Sequence, residues 1–520
     1  MDTNKREKRA NLCRGTLNAT PEDPQTGLES IPRLIAPPVA VKISPGWYLL
    51  FFFSNSIVFG SLTYPSILCL TVEAHNFQPR PLPVRRASSK LTPMEWLGHA
   101  KIGFVTSPEP LQFKTKDGEE TDLLRLAEKS TPPCRLNPFL FNGHLQTAMT
   151  VLKPEGPTVH YKRKIFDAED PAYEGNFAVD FIVPPFEGAE EGLPPRTIHY
   201  DKEELLEIEA GSLDDRPMIV ALHGLSGGSF EIYLRHVLAP LMASGGWEAC
   251  CINSRGCAGH MISSSILYNA RATWDTRQVV KWLRMKYPNR PLFGIGFSLG
   301  ANILTNYIGE EAEACQLKAA VVISNPWNLE LGSMALQRTW MGKEVYSKVM
   351  AGNMKKLVER HADQIEKHTN INMDRVRKVT YLHEFDREVQ GPTWGYPTEG
   401  AYYRDASSVD SLLGVRIPLL AINATDDPIA VDEAIPYEEF KQNPYTLLCT
   451  TSLGGHLSWF ETLGDGERWH AKPAVNFLNS MAFNVDMDSM IPRKVNVGVE
   501  TTNGHSKFTP MRRKLHVQEA

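Results

Sequence analysis

The sequence predicts an α/β protein whose mostly parallel central sheet is covered by helices on both faces. Two observations lead to this prediction: short apolar runs alternate with longer helix-like segments, and most of the runs are apolar at successive positions. A run that is apolar at every position is expected for a strand buried on both faces. Alternating strands and helices favour parallel strands joined by right-handed crossovers.

The predicted elements follow one another along the second half of the chain. Predicted strands are 177–183, 218–224, 248–254, 291–297, 319–325, 418–424 and 446–452. Predicted helices between them are 230–244, 270–287, 299–311 and 467–483. Residues 327–413 interrupt the alternation and are rich in Met, Trp and long helix-forming side chains. We expect this stretch to form an inserted, mostly helical cap.

Composition excludes several classes of protein. The 520 residues are 42% hydrophobic and 22% charged, which rules out a wholly disordered or fibrous chain. The net charge of −5 predicts no nucleic-acid partner. The eight cysteines show neither a CxxC pair nor Cys/His zinc spacing, so we expect no disulfide scaffold and no structural zinc. Because HExxH, Walker A and GxGxxG motifs are also missing from the sequence, we expect no metal or organic cofactor.

The chain divides into segments of different composition. We expect a disordered N-terminal segment at 1–42, a possible membrane anchor at 43–72 and a linker with domain lead-in at 73–132. The α/β domain follows at 133–483, and a disordered basic tail at 484–520.

The run 43–72 carries no charged residue and is long enough to cross a bilayer of about 30 Å. One interpretation is a single membrane-spanning anchor, which would place the protein at a membrane such as the endoplasmic reticulum or a lipid droplet. The other is a hydrophobic segment that lies on the protein or in the membrane interface. If the run does not insert, the expected location is the cytoplasm.

A serine stands between two glycines where a predicted strand meets a predicted helix. The segment Gly296-Phe297-Ser298-Leu299-Gly300 follows the strand 291–297 and opens the helix 299–311. A nucleophile elbow needs this sharp turn, with small residues that allow close backbone approach. An ordinary glycine-bearing turn with an incidental serine is the alternative. We interpret Ser298 as a nucleophile.

A serine hydroxyl needs a histidine base and an acid partner, which follow such an elbow in the order acid, then histidine. Asp426 and Asp427 come directly after the strand 418–424, and His456 follows the strand 446–452. All three candidates therefore lie beyond the carboxyl ends of strands, where ligand-facing residues gather. We assign Asp427 as the acid and His456 as the base, with Asp426 as the alternative acid.

The loop after strand 218–224 is the expected supplier of an oxyanion hole. It reads His223-Gly224-Leu225-Ser226-Gly227-Gly228, and its glycines allow close approach to a substrate. We expect the backbone N–H groups of Leu225 and Leu299 to be the donors. The alternative is a tight turn without a binding role. His223 is expected to orient the loop, and His144 is expected to be structural.

Together these motifs resemble the α/β-hydrolase 4 family, which includes medium-chain fatty acid ethyl ester synthases/esterases and membrane-anchored lipases. The resemblance spans about 133–483 and rests on NPFLFNGHLQT (137–147), HGLSGGSFEIYLR (223–235), NSRGCAG (253–259), GIGFSLGANIL (294–304), YYRDASS (402–408), DDPI (426–429) and GGHLSWFE (454–461). It implies an α/β-hydrolase fold and a triad of Ser298, Asp427 and His456. It also implies hydrolysis of carboxylic esters, with acyl transfer to an alcohol in some members.

The sequence therefore predicts a serine ester hydrolase/acyltransferase for medium-chain acyl esters or acylglycerols, working through a covalent acyl-enzyme. Its expected partners are a small-molecule ester and water or an alcohol, with membrane association if 43–72 inserts. Two alternatives remain open at this point: a tailoring hydrolase for a non-lipid ester, and a non-catalytic lipid-binding protein of the same fold. No oligomeric state is predicted.

Overall fold

The computed structural model describes residues 92–150, 155–461 and 466–491. The predicted segments 1–42 and 43–72 lie outside the described residues, as does most of the predicted tail. Among the described residues, no helix is long and apolar enough to cross a membrane.

A ten-stranded sheet forms the centre of the molecule. Its strands are, in chain order, β1 (Ile102–Thr106), β4 (His160–Asp167), β5 (Asn176–Val183), β6 (Thr197–His199), β7 (Met218–Leu222), β8 (Glu248–Ile252), β9 (Leu292–Phe297), β10 (Leu317–Ile323), β11 (Leu419–Ala424) and β12 (Thr446–Thr451). The seven predicted strands agree with seven of its strands within about two residues, and β1, β4 and β6 were not predicted. A small antiparallel sheet contains β2 (Gln112–Thr115), β3 (Glu120–Asp122) and β13 (Val485–Asp486).

The strand order of the large sheet is β1-β12-β11-β10-β9-β7-β8-β5-β4-β6. Its six central strands, from β12 to β8, pair in parallel, whereas β1–β12, β5–β8 and β4–β5 are antiparallel. Every residue of β7, β9 and β11 is buried, as expected for strands covered on both faces. The predicted α/β fold with a mostly parallel sheet is confirmed.

The helices come before, between and after the strands. They are α1 (Pro93–Trp96), α2 (Leu123–Ser130), α3 (Gly143–Met149), α4 (Lys202–Ala210), α5 (Ile232–Ala243), α6 (Trp274–Lys286), α7 (Leu299–Glu311), α8 (Leu329–Arg338), α9 (Lys348–Arg360), α10 (Ala362–His368), α11 (Met373–Lys378), α12 (Leu382–Trp394), α13 (Glu399–Ala406), α14 (Val409–Leu412), α15 (Tyr437–Gln442) and α16 (Ala471–Asn479). Two π-helical segments cover Met341–Ser347 and Ser480–Asn484.

The direction of the crossovers places helices on both faces of the sheet. The chain moves from β7 to β8 in one direction and from β8 to β9 in the other. Because such crossovers are right-handed, α5 lies on the face opposite to α6 and α7. Helices α8 to α14 are inserted between β10 and β11, which confirms a helical cap in this part of the chain.

The fold extends beyond the predicted 133–483 at both ends. Strand β1 pairs antiparallel with β12 in the segment that we interpreted as linker and lead-in. After Phe483, where the folded domain was expected to end, β13 still pairs with β2. Both strands are short edge strands, and such elements carry little apolar periodicity for a sequence analysis to detect.

Candidate active site

Ser298 lies at a sharp turn between β9 and α7. Its backbone has φ 52° and ψ −117°, a conformation that L-residues rarely adopt. A Cβ atom on Gly296 would lie 2.7 Å from Ala301 Cα, and one on Gly300 would lie 2.4 Å from Leu222 O. Neither neighbour can move easily because both atoms belong to the backbone. The turn therefore requires both glycines, as the nucleophile-elbow motif predicts.

The structure brings Ser298, His456 and Asp427 into one hydrogen-bonded chain. Ser298 Oγ lies 2.8 Å from His456 Nε2, and His456 Nδ1 lies 2.8 Å from Asp427 Oδ2. The backbone N–H groups of Ile429 and Ala430 donate to Asp427 Oδ1 at 2.8 and 2.9 Å. Asp427 Oδ2 can therefore hold the histidine ring with its proton on Nδ1. Nε2 is then free to accept the serine proton.

Asp426, the alternative acid, does not contact the imidazole. Its Oδ1 instead accepts a hydrogen bond from Gly455 N–H at 3.0 Å, one residue before His456. Burial is the main cause that raises the pKa of Asp426 to about 7, and the neighbouring Asp427 charge adds to it. Asp426 is therefore placed to hold the histidine loop, and Asp427 is placed to orient the ring.

Helix α3 supports the same loop from the other side. Thr147 Oγ1 accepts a hydrogen bond from His456 N–H at 2.9 Å, and Gln146 Oε1 accepts one from Phe460 N–H at 2.8 Å. No pattern in the sequence predicts a role for these two residues. The motif Asn-Gly-His-Leu-Gln-Thr was visible, but nothing in its composition indicates that it faces a loop about 300 residues later.

His144, in the same helix, reaches the cap. Its Nδ1 lies 2.7 Å from the Tyr346 hydroxyl oxygen, and the two rings stack with centroids 5.7 Å apart. At the start of the helix, a Cβ atom on Gly143 would lie 1.9 Å from Asp426 O. Helix α3 thus contacts the acid turn, the histidine loop and the cap.

The two predicted oxyanion donors, Leu225 and Leu299, line the same cavity as Ser298. The Leu299 N–H belongs to the first turn of α7, where the helix dipole favours negative charge. The neighbouring Gly224 N–H is already used, since it donates to the Tyr233 hydroxyl at 2.8 Å. Tyr233 was not predicted to take part in the site, but this hydrogen bond helps to shape the loop.

His223 holds the loop 223–228 rather than facing the serine. Its Nδ1–H donates to Gly224 O at 2.6 Å, and its Nε2 accepts a hydrogen bond from Ser254 N–H at 3.0 Å. Burial lowers the pKa of His223 to about 4, so the ring is neutral near pH 7. This arrangement agrees with the orienting role expected from the sequence.

A cavity of about 110 Å³ extends from Ser298 beneath the cap. Most of its walls are apolar, and five cap residues add polar groups: Ser333, Asp386, Gln390, Tyr402 and Tyr403. The apolar walls include Pro326, Leu329, Leu336, Met350, Met354, Leu382 and Ile429. In the described parts of the chain, no group of three or more His, Cys, Asp or Glu side chains is placed to hold a metal ion.

Comparison with known proteins points to one family. Residues 217–462 match the α/β-hydrolase fold family. A monoacylglycerol lipase of Saccharomyces cerevisiae is 33% identical over 76% of this chain and 93% of its own length. A medium-chain fatty acid ethyl ester synthase/esterase of the same yeast is 28% identical over 74% and 96%. The phospholipase ABHD3 of Mus musculus is 34% identical over 47% and 59%.

Proposed function

Because the chain belongs to the α/β-hydrolase fold family, we propose that it is a serine carboxylic-ester hydrolase with acyltransferase capacity. The observation that carries the proposal is the continuous chain from Asp427 through His456 to Ser298, with 2.8 Å at each step. This arrangement supports a base-activated nucleophile beside an apolar cavity.

In the first half-reaction, Ser298 Oγ attacks the acyl carbonyl carbon while His456 Nε2 takes the hydroxyl proton. Asp427 stabilises the imidazolium that forms and keeps the ring in the required orientation. His456 then returns the proton to the leaving alcohol as the ester C–O bond breaks. The product is an acyl-enzyme on Ser298.

The negative oxygen of the tetrahedral intermediate needs donors that are already in place. We assign the backbone N–H groups of Leu225 and Leu299 to this role because both residues line the cavity at Ser298. Removing one donor of such a pair costs about 3–4 kcal/mol in well-studied hydrolases.

In the second half-reaction, water or an alcohol attacks the acyl-enzyme with His456 again acting as base. Water releases a carboxylic acid, and an alcohol forms a new ester. The apolar walls of the cavity favour an acyl chain and restrict water, which supports transfer to a bound alcohol.

We propose medium-chain acyl esters or acylglycerols as the substrates. The apolar cavity supports this class, and so do the names of the two yeast relatives. For such substrates, attachment to a membrane would shorten the path to the lipid. We therefore also propose that the uncharged run 43–72 anchors the protein in a membrane.

The test combines a fluorophosphonate probe with an ester series. We expect the wild-type protein to be labelled and to cleave acyl esters, and Ser298→Ala to lose labelling and at least about 10³-fold of the cleavage rate. Acyl esters of graded chain length are incubated with and without ethanol or glycerol, and both the free acid and the newly formed ester are measured.

Membrane attachment is tested by alkaline extraction. The labelled protein should stay in the membrane pellet, and a variant that lacks 43–72 should be released from it.

Each negative result has its own meaning. Cleavage by purified Ser298→Ala contradicts the assignment of the nucleophile. An unlabelled, inactive wild-type protein favours a non-catalytic lipid-binding role. Labelling with turnover of non-lipid esters alone favours a tailoring hydrolase. Free acid without any new ester removes the transferase capacity, and extraction of the wild-type protein from the membrane removes the anchor.

A further inference from the structure

One face of the cap helix α12 lines the cavity that contains Ser298. Leu382, Asp386 and Gln390 follow at intervals of four residues, which places them on the same side of a helix. Phe385 and Val389 pack instead into the apolar core of the cap. The two polar side chains therefore face the cavity and not the solvent, although the rest of the wall is mainly apolar.

Asp386 is a buried carboxyl group with little compensation. The residue is 7% exposed, and its Oδ2 accepts a hydrogen bond from the Tyr403 hydroxyl at 2.6 Å. Among the described residues, no lysine, arginine or histidine forms an ion pair with it. Burial raises the pKa of Asp386 to about 7, with a smaller contribution from the charge of Glu399. Near neutral pH the group can therefore either donate or accept a hydrogen bond.

Gln390 is one turn further along the helix and carries an unpaired acceptor. The residue is 4% exposed, and its Oε1 has no hydrogen-bond partner among the described residues. An unpaired buried amide oxygen is costly, and a buried group of this kind in a native protein normally has a partner. Gln390 lines the cavity, so a molecule bound there can supply the missing donor.

A purely hydrocarbon ligand would leave Gln390 Oε1 without a partner and would leave the Asp386 carboxyl with the Tyr403 hydroxyl alone. A hydroxyl group serves both side chains, because its hydrogen donates to Gln390 Oε1 while its oxygen accepts a hydrogen bond from the protonated carboxyl of Asp386. We infer that Asp386 and Gln390 form a hydrogen-bonding subsite for a hydroxyl group carried by the ester substrate. This inference rests on the proposed function of the same cavity. The hydroxyl can belong to the alcohol part, as in an acylglycerol, or to the acyl chain.

Two substrate pairs distinguish these sources. 1-Octanoylglycerol and propyl octanoate differ by hydroxyl groups on the alcohol side, and ethyl 8-hydroxyoctanoate and ethyl octanoate differ by one on the acyl side. We expect the wild-type protein to prefer the hydroxyl-bearing member of one pair in kcat/KM. A site built around a hydroxyl group discriminates strongly against an analogue that lacks it.

Gln390→Leu removes the acceptor with little change in volume, and we expect it to reduce that preference about tenfold. Gln390→Met, whose side chain is closer in shape to glutamine, provides a second variant if the first folds poorly. Gln364→Leu is the matched control, since Gln364 lies in the cap helix α10 and does not line the cavity. The control should keep the wild-type preference.

The preference identifies the side of the ester that carries the hydroxyl group. Equal kcat/KM values for the two members of each pair overturn the subsite. The subsite is also overturned if the Gln390 variants lower kcat/KM equally for both members of a pair. If plain esters are still cleaved and Ser298 is still labelled in that case, the proposed function stands without the subsite. If neither cleavage nor labelling occurs, the proposed function fails and the subsite fails with it.

Discussion

The Ser298 backbone has an unfavourable conformation, and the close backbone approach around the turn leaves no space for a side chain at Gly296 or Gly300. Non-glycine residues at positive φ cost on the order of 1–3 kcal/mol and persist only where the surroundings hold them. Here the Ser298 N–H donates to Ile323 O of β10 at 2.9 Å, and α7 begins at the next residue. The strain is thus offset by the sheet and the helix, which together keep Oγ in the cavity.

Two adjacent acids at one turn have different tasks, so their amide variants should differ. We expect Asp427→Asn to lower kcat by about 10⁴-fold, because an amide beside Nδ1 favours the wrong tautomer of His456. Asp426→Asn should lower kcat by less than about tenfold, since its amide oxygen can still accept from Gly455 N–H. Steady-state kinetics of both purified variants make the comparison.

Unfolding temperatures of the two variants serve as the control, because a large loss of stability would affect activity indirectly. If Asp426→Asn were the more damaging substitution, the two roles would have to be exchanged.

The site residues differ in how far the sequence could predict them. Ser298, Asp427 and His456 are predictable because a required chain order and strand-end positions both constrain them. The choice between Asp426 and Asp427 is less constrained, since two adjacent residues after one strand satisfy the same rule. Asp386 and Gln390 gave no signal, because only the packing of the cap decides which side of α12 faces the cavity.

At the level of elements, α3 connects three parts of the site that are distant in sequence. It contacts the Asp426 backbone, the backbone of His456 and, through His144, the cap residue Tyr346. A short helix of seven residues would be marginal by itself, so these contacts contribute to its stability as well as to the site.

Thr147→Val tests this connection with a nearly isosteric change. The His456 N–H would lose its acceptor at 2.9 Å, which costs about 1–3 kcal/mol when the group stays buried. We expect kcat to fall about tenfold, because the loop that carries His456 is held less firmly. Thr147→Ser keeps the hydroxyl and should retain most of the activity.

Thr131→Val is the matched control. It removes a hydroxyl that donates to Ala127 O at the end of α2, and it should change unfolding temperature but not kcat. Equal kcat values for Thr147→Val and the wild type would show that this hydrogen bond does not position the histidine.

The sheet was largely predictable, except for its polar strands. Most residues of the strands β7 to β12 are apolar at successive positions, which distinguishes buried parallel strands from other segments. Strand β4 was not predicted, because lysine and arginine interrupt it. One of these, Arg163, is fully buried and forms a two-point ion pair with Asp180 of β5 at 2.6 and 2.9 Å. A buried ion pair of this kind depends on the partner strand, which a local pattern does not contain.

For the molecule as a whole, buried titratable groups of two kinds should change stability in opposite directions below neutral pH. Among the described residues, burial lowers the pKa of seven histidines below 6.5, and it raises the pKa of two aspartates from 3.8 to about 7. The histidines are His160, His223, His236, His260, His361, His383 and His470, and the aspartates are Asp386 and Asp426.

The histidines govern the acid side. Between about pH 4 and 6.5 they bind protons in the unfolded chain but not in the folded protein, so their contribution to stability is lost as pH falls through this window. The two aspartates act in the opposite direction over the same range, but they are outnumbered. We expect the unfolding temperature of the wild-type protein to decrease as pH is lowered from 6.5 to 4.5. A flat profile would contradict this.

The contribution of one aspartate can be isolated with Asp386→Asn. Because the folded pKa of Asp386 is raised, its contribution to stability is fully present below the unfolded value of 3.8 and is lost as pH rises to about 7. At 1.36 kcal/mol per pKa unit, the loss is on the order of 4 kcal/mol.

The amide of Asp386→Asn can still accept a hydrogen bond from the Tyr403 hydroxyl but does not ionise. The unfolding temperature of the variant relative to the wild type should therefore rise between pH 4.5 and 7 and remain constant above pH 8. Carboxylates with a lowered pKa, such as Glu95 at about 2, change their contribution below this window. Parallel profiles of the two proteins from pH 4.5 to 8.5, measured by thermal unfolding, would show that Asp386 keeps an ordinary pKa in the folded protein.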